Sequence, residues 1–279
     1  MSKLLEQINS PADVKRLSVP ELKALADEVR QFILESVSKT GGHLASNLGV
    51  VELTLALHCV FDFKTDKLIW DVGHQCYTHK IITARRDKFG SLRRPDGISG
   101  FPNPDESDYD PFAVGHAGTS IATAIGLALG EQLKSKGKKE PSQHARRSTN
   151  KIVAIIGDAS IVNGASFEAL NNLGLIKRQL LIVLNDNSMA IDATVGAMAK
   201  YFSRVRLSQT YDGLRKTTSN ILEHMPVIGR SVEETLERIK KSIRMVLPAS
   251  QMFESLNIPY FGPVDGHDIG SLIKFFETL

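Results

Sequence analysis

Two apolar runs separated by a helical pattern dominate the middle of the chain. Residues 152–156 and 180–184 are unbroken stretches of Ile, Val, Leu and Ala, the pattern of strands buried on both faces of a parallel sheet. Five apolar residues between these runs recur at helical spacing: Ala165, Phe167, Ala169, Leu170 and Leu173. A strand–helix–strand crossover of this kind makes the two strands parallel. The pattern therefore predicts an α/β fold in which helices flank a mostly parallel sheet.

Oxygen-bearing side chains follow both predicted strands. Asp158 comes after the first run and Asn187 after the second. Since the carboxyl ends of parallel strands meet at one edge of a sheet, the two side chains are expected to lie near each other. Carboxylate and amide oxygens suit Mg²⁺, whose remaining positions would be taken by phosphate and water. The alternative, in which Asp158 only forms a turn or caps a helix, stays open on the residues alone.

The first third of the chain predicts two helices and a strand. Ser18 and Glu21 form a capping box at the start of an amphipathic helix, which Gly41 and the following glycine end. Residues 67–72 predict a strand that is broken at a Gly-His-Gln turn, and a further helix is expected over 77–86.

The remaining pattern is less regular. Residues 90–112 are rich in Gly, Pro, Asp and Ser, which predicts a long loop with a functional role. A helix rich in small residues is expected to begin near Ser120, and another over 231–246. Residues 193–225 are polar and poorly periodic, and 257–261 predict a final strand.

Composition narrows the class of protein. The chain has 279 residues, 42% hydrophobic and 23% charged, which is typical of a soluble globular protein. Net charge is +3, but residues 134–151 alone carry seven Lys and Arg residues against one Glu. Because this segment contains no aromatic residue, it is interpreted as a solvated surface loop and not as a nucleic-acid-binding surface. Cys59 and Cys76 form no metal-binding spacing. With no signal peptide, transit peptide or membrane-spanning run in the sequence, a cytoplasmic protein is expected.

Common nucleotide and hydrolase signatures are missing from the sequence. There is no GxGxxG motif after a strand, no GxxxxGK[ST] phosphate loop and no GxSxG elbow. The chemistry must therefore be sought in the motifs that the chain does carry.

The chain has Gly-Asp followed about thirty residues later by Asn, and the stretches EALNNLG and LNDNSMAID lie around these residues. It also has, in chain order, GGHLASNLG, DVGHQ, VGHAGTS and GPVDGHD. These motifs, in this order, resemble those of the 1-deoxy-D-xylulose-5-phosphate synthases, a family of transketolase-like thiamine-diphosphate enzymes. The resemblance runs from about Leu22 to Leu279 and implies that residues 1–279 form a single domain that binds thiamine diphosphate and Mg²⁺.

The resemblance assigns roles to individual residues. It implies that Asp158, Asn187 and the backbone carbonyl of Met189 hold Mg²⁺, and that His43 and His74 are catalytic. The residues that would contact the cofactor are His74, Gly115, His116, Ala117, Ala159, Ser160 and Asn187. His43, His74 and His116 are candidate proton donors, because imidazole titrates near neutral pH.

Other family positions are expected to be structural or depart from the pattern. His79 is expected to be structural, and Asp265, His267 and Asp268 are interpreted first as a turn and helix entry. Ala159 stands where the family usually has Gly, which would matter if the backbone needed a positive φ or a close approach to diphosphate.

The implied reaction condenses pyruvate with D-glyceraldehyde 3-phosphate to 1-deoxy-D-xylulose 5-phosphate and releases CO₂, a step toward isoprenoids, thiamine and pyridoxal. The family's catalytic Glu belongs to a pyrimidine-binding domain, and no segment of this chain is assigned to it. The chain is therefore expected to be a piece of such an enzyme or one subunit of a split one, active with a C-terminal half and homodimeric. Two alternatives remain: the N-terminal subunit of a split transketolase, and a non-catalytic cofactor-binding protein.

Overall fold

The structure, a computed structural model, describes residues 3–136, 150–176, 180–186, 196 and 248–279. Some of the sequence predictions fall elsewhere. Those outside the described residues are the helix over 231–246, most of 193–225, most of the basic segment 134–151, and the candidate ligands Asn187 and Met189.

A three-stranded parallel sheet lies at the centre of the described part of the chain. Its strands are β1 (Lys67–Trp70), β2 (Ile152–Gly157) and β3 (Leu180–Asn185), in the order β1-β2-β3. Trp70 pairs with Ile155, and Gly157 pairs with Asn185. The predicted α/β fold with a parallel sheet is confirmed. Strand β1 ends two residues earlier than predicted, because Val72 adopts a φ of +60° that extended backbone does not allow.

Five helices precede β1: α1 (Leu4–Gln7), α2 (Pro11–Val14), α3 (Val19–Thr40), α4 (Ala45–Leu48) and α5 (Val51–Val60). The capping box of Ser18 and Glu21 is present at the start of α3, and Gly41 with a φ of +75° follows its end. Helix α5 is apolar on nearly every side and almost entirely buried, since it packs between α3 and the last helix of the chain.

The helix predicted over 77–86 is interrupted. Helix α6 (Tyr77–Lys80) passes into a π-helical turn (Ile81–Arg85) and then a 3₁₀ helix (Arg86–Ser91). Thr83 and Ala84 leave helical geometry, and Ala84 has a φ of +65°. This kink turns Arg85 into the protein, where it bonds to the buried carboxylate of Asp110. A tertiary ion pair therefore overrides the local helical preference.

Five further helices are described after these turns, and the first two of them contact the sheet. They are α7 (Ser120–Lys136), α8 (Asp158–Ile161), α9 (Gly164–Leu173), α10 (Pro248–Ser255) and α11 (Ile269–Glu277). Helix α9 buries Ala169, Leu170 and Leu173 as predicted, but Ala165 is exposed and the Phe167 side chain is 44% exposed. The apolar face of α9 is therefore shorter than the sequence pattern indicates. No helix in the described ranges is both long and apolar enough to cross a bilayer.

The strand predicted over 257–261 does not form, so that prediction was wrong. Asn257 has a φ of +60°, and the Ile258 N–H donates to the carbonyl of Phe253 at 2.9 Å. The Tyr260 ring stacks on Phe253, with ring centroids 5.7 Å apart. Ile258 and Tyr260 are thus half-buried against α10 and do not pair with the sheet.

Candidate functional site

The turn after β1 is the first element of the candidate site. The Asp71 N–H donates to the carbonyl of Ile155 at 2.8 Å, which extends the alignment of β1 with β2 to the sheet edge. Val72 then adopts a φ of +60° and Gly73 a φ of +91°. A β-branched residue in this region costs about 1–3 kcal/mol, and such strain is concentrated at functional sites. The turn brings His74 to the carboxyl edge of the sheet.

Gly73 allows a long loop to pack directly on this turn. A Cβ atom at position 73 would lie 2.5 Å from Pro102 Cδ and 2.5 Å from Val114 Cγ2. No side chain fits there, so glycine is required on steric grounds as well as for its φ. Residues 99–112 therefore form one wall of the site.

His43 and His74 lie next to each other, although 30 residues separate them in the sequence. Their ring centroids are 5.2 Å apart. Asn47, which is fully buried, donates its Nδ2 hydrogens to the backbone carbonyls of both, at 2.6 Å to His43 and 2.8 Å to His74. Its Oδ1 accepts the Tyr77 N–H at 2.8 Å. One buried amide therefore sets the spacing of the two histidines.

Both histidines are disfavoured as cations. Partial burial, together with the nearby Arg93 guanidinium, lowers the pKa of His43. Burial and the neighbouring His43 lower the pKa of His74, and the Asp71 carboxylate opposes this shift. Arg93 Nη1 is 3.4 Å from His43 Nδ1. Because a guanidinium only donates, His43 Nδ1 is the acceptor in this contact and its proton lies on Nε2.

Asp71 connects the β1 turn to the loop before α7. Its buried carboxylate accepts the Gly118 N–H, at 2.9 and 3.1 Å to its two oxygens, and the Ser120 N–H at 3.1 Å. The three predicted cofactor contacts Gly115, His116 and Ala117 lie immediately before these anchors. Gly115 and His116 are exposed and Ala117 is half-buried. Asp71 thereby holds this segment at the same edge as His74.

Gly118 in turn contacts the segment after β2. It has a φ of +83°, and a Cβ there would lie 2.9 Å from Asn163 Cγ. Asn163 caps α9 by accepting the Ala165 N–H at 2.9 Å. The loop before α7 and the α8–α9 turn are therefore in close contact.

Asp158, Ala159 and Ser160 form the start of α8, directly after β2. Asp158 and Ser160 are half-buried, and Ala159 is exposed. Ala159 is not among the described residues with a positive φ, so alanine is compatible with this backbone. The Ser160 carbonyl accepts the Ser166 hydroxyl at 2.9 Å.

The predicted magnesium site is only partly within the described residues. Gly157 and Asn185 are in register, so Asp158 and Asp186 follow them at the same edge of the sheet. Asn187 and Met189 are outside the described residues. In the described ranges, no three His, Cys, Asp or Glu side chains cluster as metal ligands would. Of the three proposed magnesium ligands, only Asp158 therefore lies within the described residues.

The residues expected to be structural have structural contacts. His79 is buried, with its Nε2 2.8 Å from Asp110 Oδ1. Asp265 accepts the His267 N–H at 3.0 Å, and Asp268 caps α11 by accepting the Ser271 N–H at 3.2 Å. Both cysteines are free, and burial raises the pKa of Cys59 to about 11 and that of Cys76 to about 12, so neither is a thiolate nucleophile at neutral pH.

The sequence did not single out the residues that organise the site. Asp71, Asn47 and Asn163 hold its segments together through hydrogen bonds and close contacts, and Arg93 lies against His43. Asp71 and Asn47 belong to the DVGHQ and GGHLASNLG motifs. The sequence signal for Asp71 was a polar residue directly after a buried strand. The signal for Asn47 was a polar residue in a short helix between two glycine turns.

Comparisons with known proteins identify the family of the chain. A family model described as 1-deoxy-D-xylulose-5-phosphate synthase matches residues 5–279. The chain is 47% identical over 274 residues to the 1-deoxy-D-xylulose-5-phosphate synthase of Caldanaerobacter subterraneus subsp. tengcongensis, covering 98% of this chain and 42% of that protein. It is 46% identical over 278 residues to 1-deoxy-D-xylulose-5-phosphate synthase 1 of Geobacter sulfurreducens, covering 100% and 42%. The chain therefore spans less than half the length of these relatives.

Solved structures show the same fold at lower identity. Transketolase from Leishmania mexicana aligns with a TM-score of 0.53 and 18% identity, covering 69% of this chain and 30% of that one. Transketolase from Campylobacter jejuni aligns with a TM-score of 0.52 and 20% identity, covering 63% and 29%. At these identities the likeness concerns the fold alone.

Proposed function

Because the chain belongs to the 1-deoxy-D-xylulose-5-phosphate synthase family, we propose that it is the diphosphate-binding part of a thiamine-diphosphate-dependent transferase. The proposed reaction joins pyruvate to D-glyceraldehyde 3-phosphate, releases CO₂ and yields 1-deoxy-D-xylulose 5-phosphate. The observation that carries this proposal is the pairing of His43 and His74 beside the loop that Asp71 anchors, at the carboxyl edge of the sheet.

The donor set at this edge suits thiamine diphosphate and Mg²⁺. His74 Nδ1 is buried and has no hydrogen-bond partner among the described residues, so it can bond to a polar group of a ligand. In our proposal Asp158, Asn187 and the Met189 carbonyl hold the metal. The cofactor contacts are His74, Gly115, His116, Ala117, Ala159, Ser160 and Asn187. Thiamine diphosphate, when bound, supplies the electron sink for breaking the bond next to the pyruvate carbonyl.

The protein residues would orient the reactants and move protons. The pKa values of His43 and His74 are lowered, which favours the neutral imidazole, the form that can accept a proton. The proton of His43 lies on Nε2, the nitrogen opposite the Arg93 contact. The Phe101 ring lies 6.0 Å from the His43 ring and limits the access of water. We propose His43 and His74 as the catalytic residues of this chain.

The two alternative hypotheses, a split transketolase subunit and a non-catalytic protein, differ from the synthase in the substrates that the protein would consume. A split transketolase subunit would act on ketose phosphates, so pyruvate consumption separates it from the synthase. A non-catalytic protein was suggested by Ala159 and by the absence of the family's catalytic Glu from this chain. Ala159 lies in α8 without a positive φ, which weakens the first of these suggestions.

The rest of the catalytic machinery is proposed to come from a C-terminal half. The chain spans 42% of the Caldanaerobacter and Geobacter relatives. That half would be supplied either by the same polypeptide or by a separate subunit. An immunoblot of the source cell decides between them: a band near 30.6 kDa indicates a separate subunit, and a much larger band a single polypeptide.

We also propose a homodimer and a cytoplasmic location. Leu129 and Leu133 are 43% and 70% exposed on α7, next to a shallow groove lined by Phe112, Gly126 and Gly130. A second copy of the chain would cover these apolar atoms. Leu133→Glu is then expected to shift the sedimentation coefficient toward that of a monomer. The free thiols of Cys59 and Cys76 agree with a reducing compartment.

The proposed function is tested by calorimetric titration of thiamine diphosphate into the chain, with and without Mg²⁺. Asp158→Asn is expected to weaken Mg²⁺-dependent binding at least about tenfold, equivalent to about 1.4 kcal/mol. Asp87→Asn, at a side chain 86% exposed, is the control and is expected to change nothing. Binding that ignores both Mg²⁺ and the Asp158 substitution contradicts the metal site. Failure of the chain with its C-terminal half to consume pyruvate in the presence of D-glyceraldehyde 3-phosphate contradicts the reaction.

A further inference from the structure

Two buried ion pairs connect the segment after β1 to the loop over residues 99–112. The Asp110 carboxylate accepts from Arg85 Nη1 at 2.5 Å and from Arg85 Nη2 at 3.1 Å. The Lys80 ammonium, which is fully buried, lies 2.5 Å from Glu106 Oε2. Arg85 Nη1 is also 3.6 Å from Glu106. Two cations therefore meet two carboxylates in the protein interior.

The same two carboxylates hold the loop backbone. Glu106 Oε1 accepts the Ser99 N–H at 2.7 Å, and Asp110 Oδ2 accepts the Asn103 N–H at 2.8 Å. Burial alone would raise the pKa of Asp110, but hydrogen bonds from His79 and Arg85 outweigh it and hold the pKa below its usual value. Asp110 therefore stays charged and keeps its acceptors available near neutral pH.

Ser99 and Asn103 bracket Phe101 and Pro102, which pack against His43 and against the turn that carries His74. The Phe101 ring lies 6.0 Å from the His43 ring, at an interplanar angle of 66°. Pro102 packs so closely on Gly73 that a Cβ there would approach its Cδ to 2.5 Å. Gly73 directly precedes His74. The two carboxylates thus fix the ends of a short segment whose middle packs against His43 and against the turn that carries His74.

We propose that Glu106 and Asp110, held by Lys80 and Arg85, are positioning residues that keep Phe101 against His43 and Pro102 against the Gly73 turn that carries His74. This inference rests on the proposed function in taking these two histidines as the reacting groups. The contacts themselves do not depend on a cofactor.

The physical reason is the cost of an unpaired buried charge. Replacing either carboxylate by an amide leaves the buried Lys80 or Arg85 cation without its full countercharge. The loop must then open to hydrate the cation. Opening exposes the His43 ring to water and moves Arg93, which precedes the same loop, so both causes that lower the His43 pKa are relieved. His74 is the other titratable group that faces His43.

Hydrogen exchange and histidine titration by NMR test this on the 279-residue chain. Glu106→Gln and Asp110→Asn are expected to speed exchange of the Ser99 and Asn103 amides at least about tenfold and to raise the His43 pKa. Asp105→Asn is the matched control, because Asp105 is exposed in the same loop. It is expected to change neither quantity.

A double variant tests whether the unpaired charge of Lys80, and not the changed side chain at position 106, opens the loop. Lys80→Met combined with Glu106→Gln removes the unpaired ammonium and keeps an oxygen that can accept from Ser99, so slow exchange is expected to return. Unchanged exchange and titration in the folded single variants would overturn the proposal. Global unfolding of both single variants by circular dichroism would overturn it too, because the role assigned to the carboxylates is local. These measurements do not use thiamine diphosphate. Their failure can therefore be distinguished from failure of the proposed function, which the cofactor titration with Asp158→Asn tests.

Discussion

Asp71→Ala is expected to release the loop before α7 from the β1 turn and to destabilise the fold. The Asp71 carboxylate is 1% exposed and accepts the N–H groups of Gly118 and Ser120, which are both buried. The variant leaves these two donors unsatisfied, and each costs about 1–3 kcal/mol, so the expected loss of stability is about 2–6 kcal/mol. Asp71→Asn retains one accepting oxygen, and about half of that loss is expected.

Urea denaturation followed by fluorescence measures this loss. Trp70 is the single tryptophan, is buried and directly precedes Asp71, so its emission reports on the turn itself. Asp87→Ala is the control, because its side chain is 86% exposed and a change within about 0.5 kcal/mol is expected. Affinity for thiamine diphosphate should fall in parallel, since Gly115 and His116 lose their anchor. If Asp71→Ala is as stable as the control, then Asp71 does not hold the loop.

Two further predictions use the same denaturation assay. Gly118→Ala places a methyl group 2.9 Å from Asn163 at a φ of +83° and should destabilise the fold by about 1–3 kcal/mol. Gly126→Ala in α7, where the added Cβ meets open space, should stabilise the fold by up to about 1 kcal/mol. Equal effects at the two positions would contradict the close contact between Gly118 and Asn163. Burial lowers the pKa of His58 and His79, so the unfolded chain binds more protons below pH 6.5 and stability should fall from pH 7 to pH 5, by up to about 1.4 kcal/mol per pH unit for each histidine. His58→Gln should make this slope shallower, and a flat profile in the parent chain would show that these histidines are not buried as neutral groups.

The sequence by itself determined the central sheet and the family. Residues 152–156 and 180–184 predict parallel strands because an unbroken apolar run favours a strand covered on both faces. Strand β2 is buried along its apolar length, whereas β3 is only half-buried within the described part of the chain, so that its predicted burial was wrong there. The Ser18 capping box predicted the start of α3, because the hydrogen bonds of a helix end involve residues only three apart. The motifs around Asp158 and His74 indicated the family, which the match over residues 5–279 confirms.

Only the tertiary structure decided the features that depend on distant partners. The kink at Thr83 and Ala84 exists because Arg85 reaches Asp110, 25 residues away. The predicted strand at 257–261 is absent because its apolar side chains find cover on α10 and not at a sheet edge.

The same reason explains why Asp71 and Asn47 were missed. Asp71 bonds to amides 47 and 49 residues away, and the Asn47 side chain joins His43 to His74. A local pattern records which face of an element is apolar, but the partner of a buried polar group is set by how the elements pack. The sequence could therefore propose candidate groups such as His43 and His74, while the residues that hold these side chains in place could be found only in the folded chain.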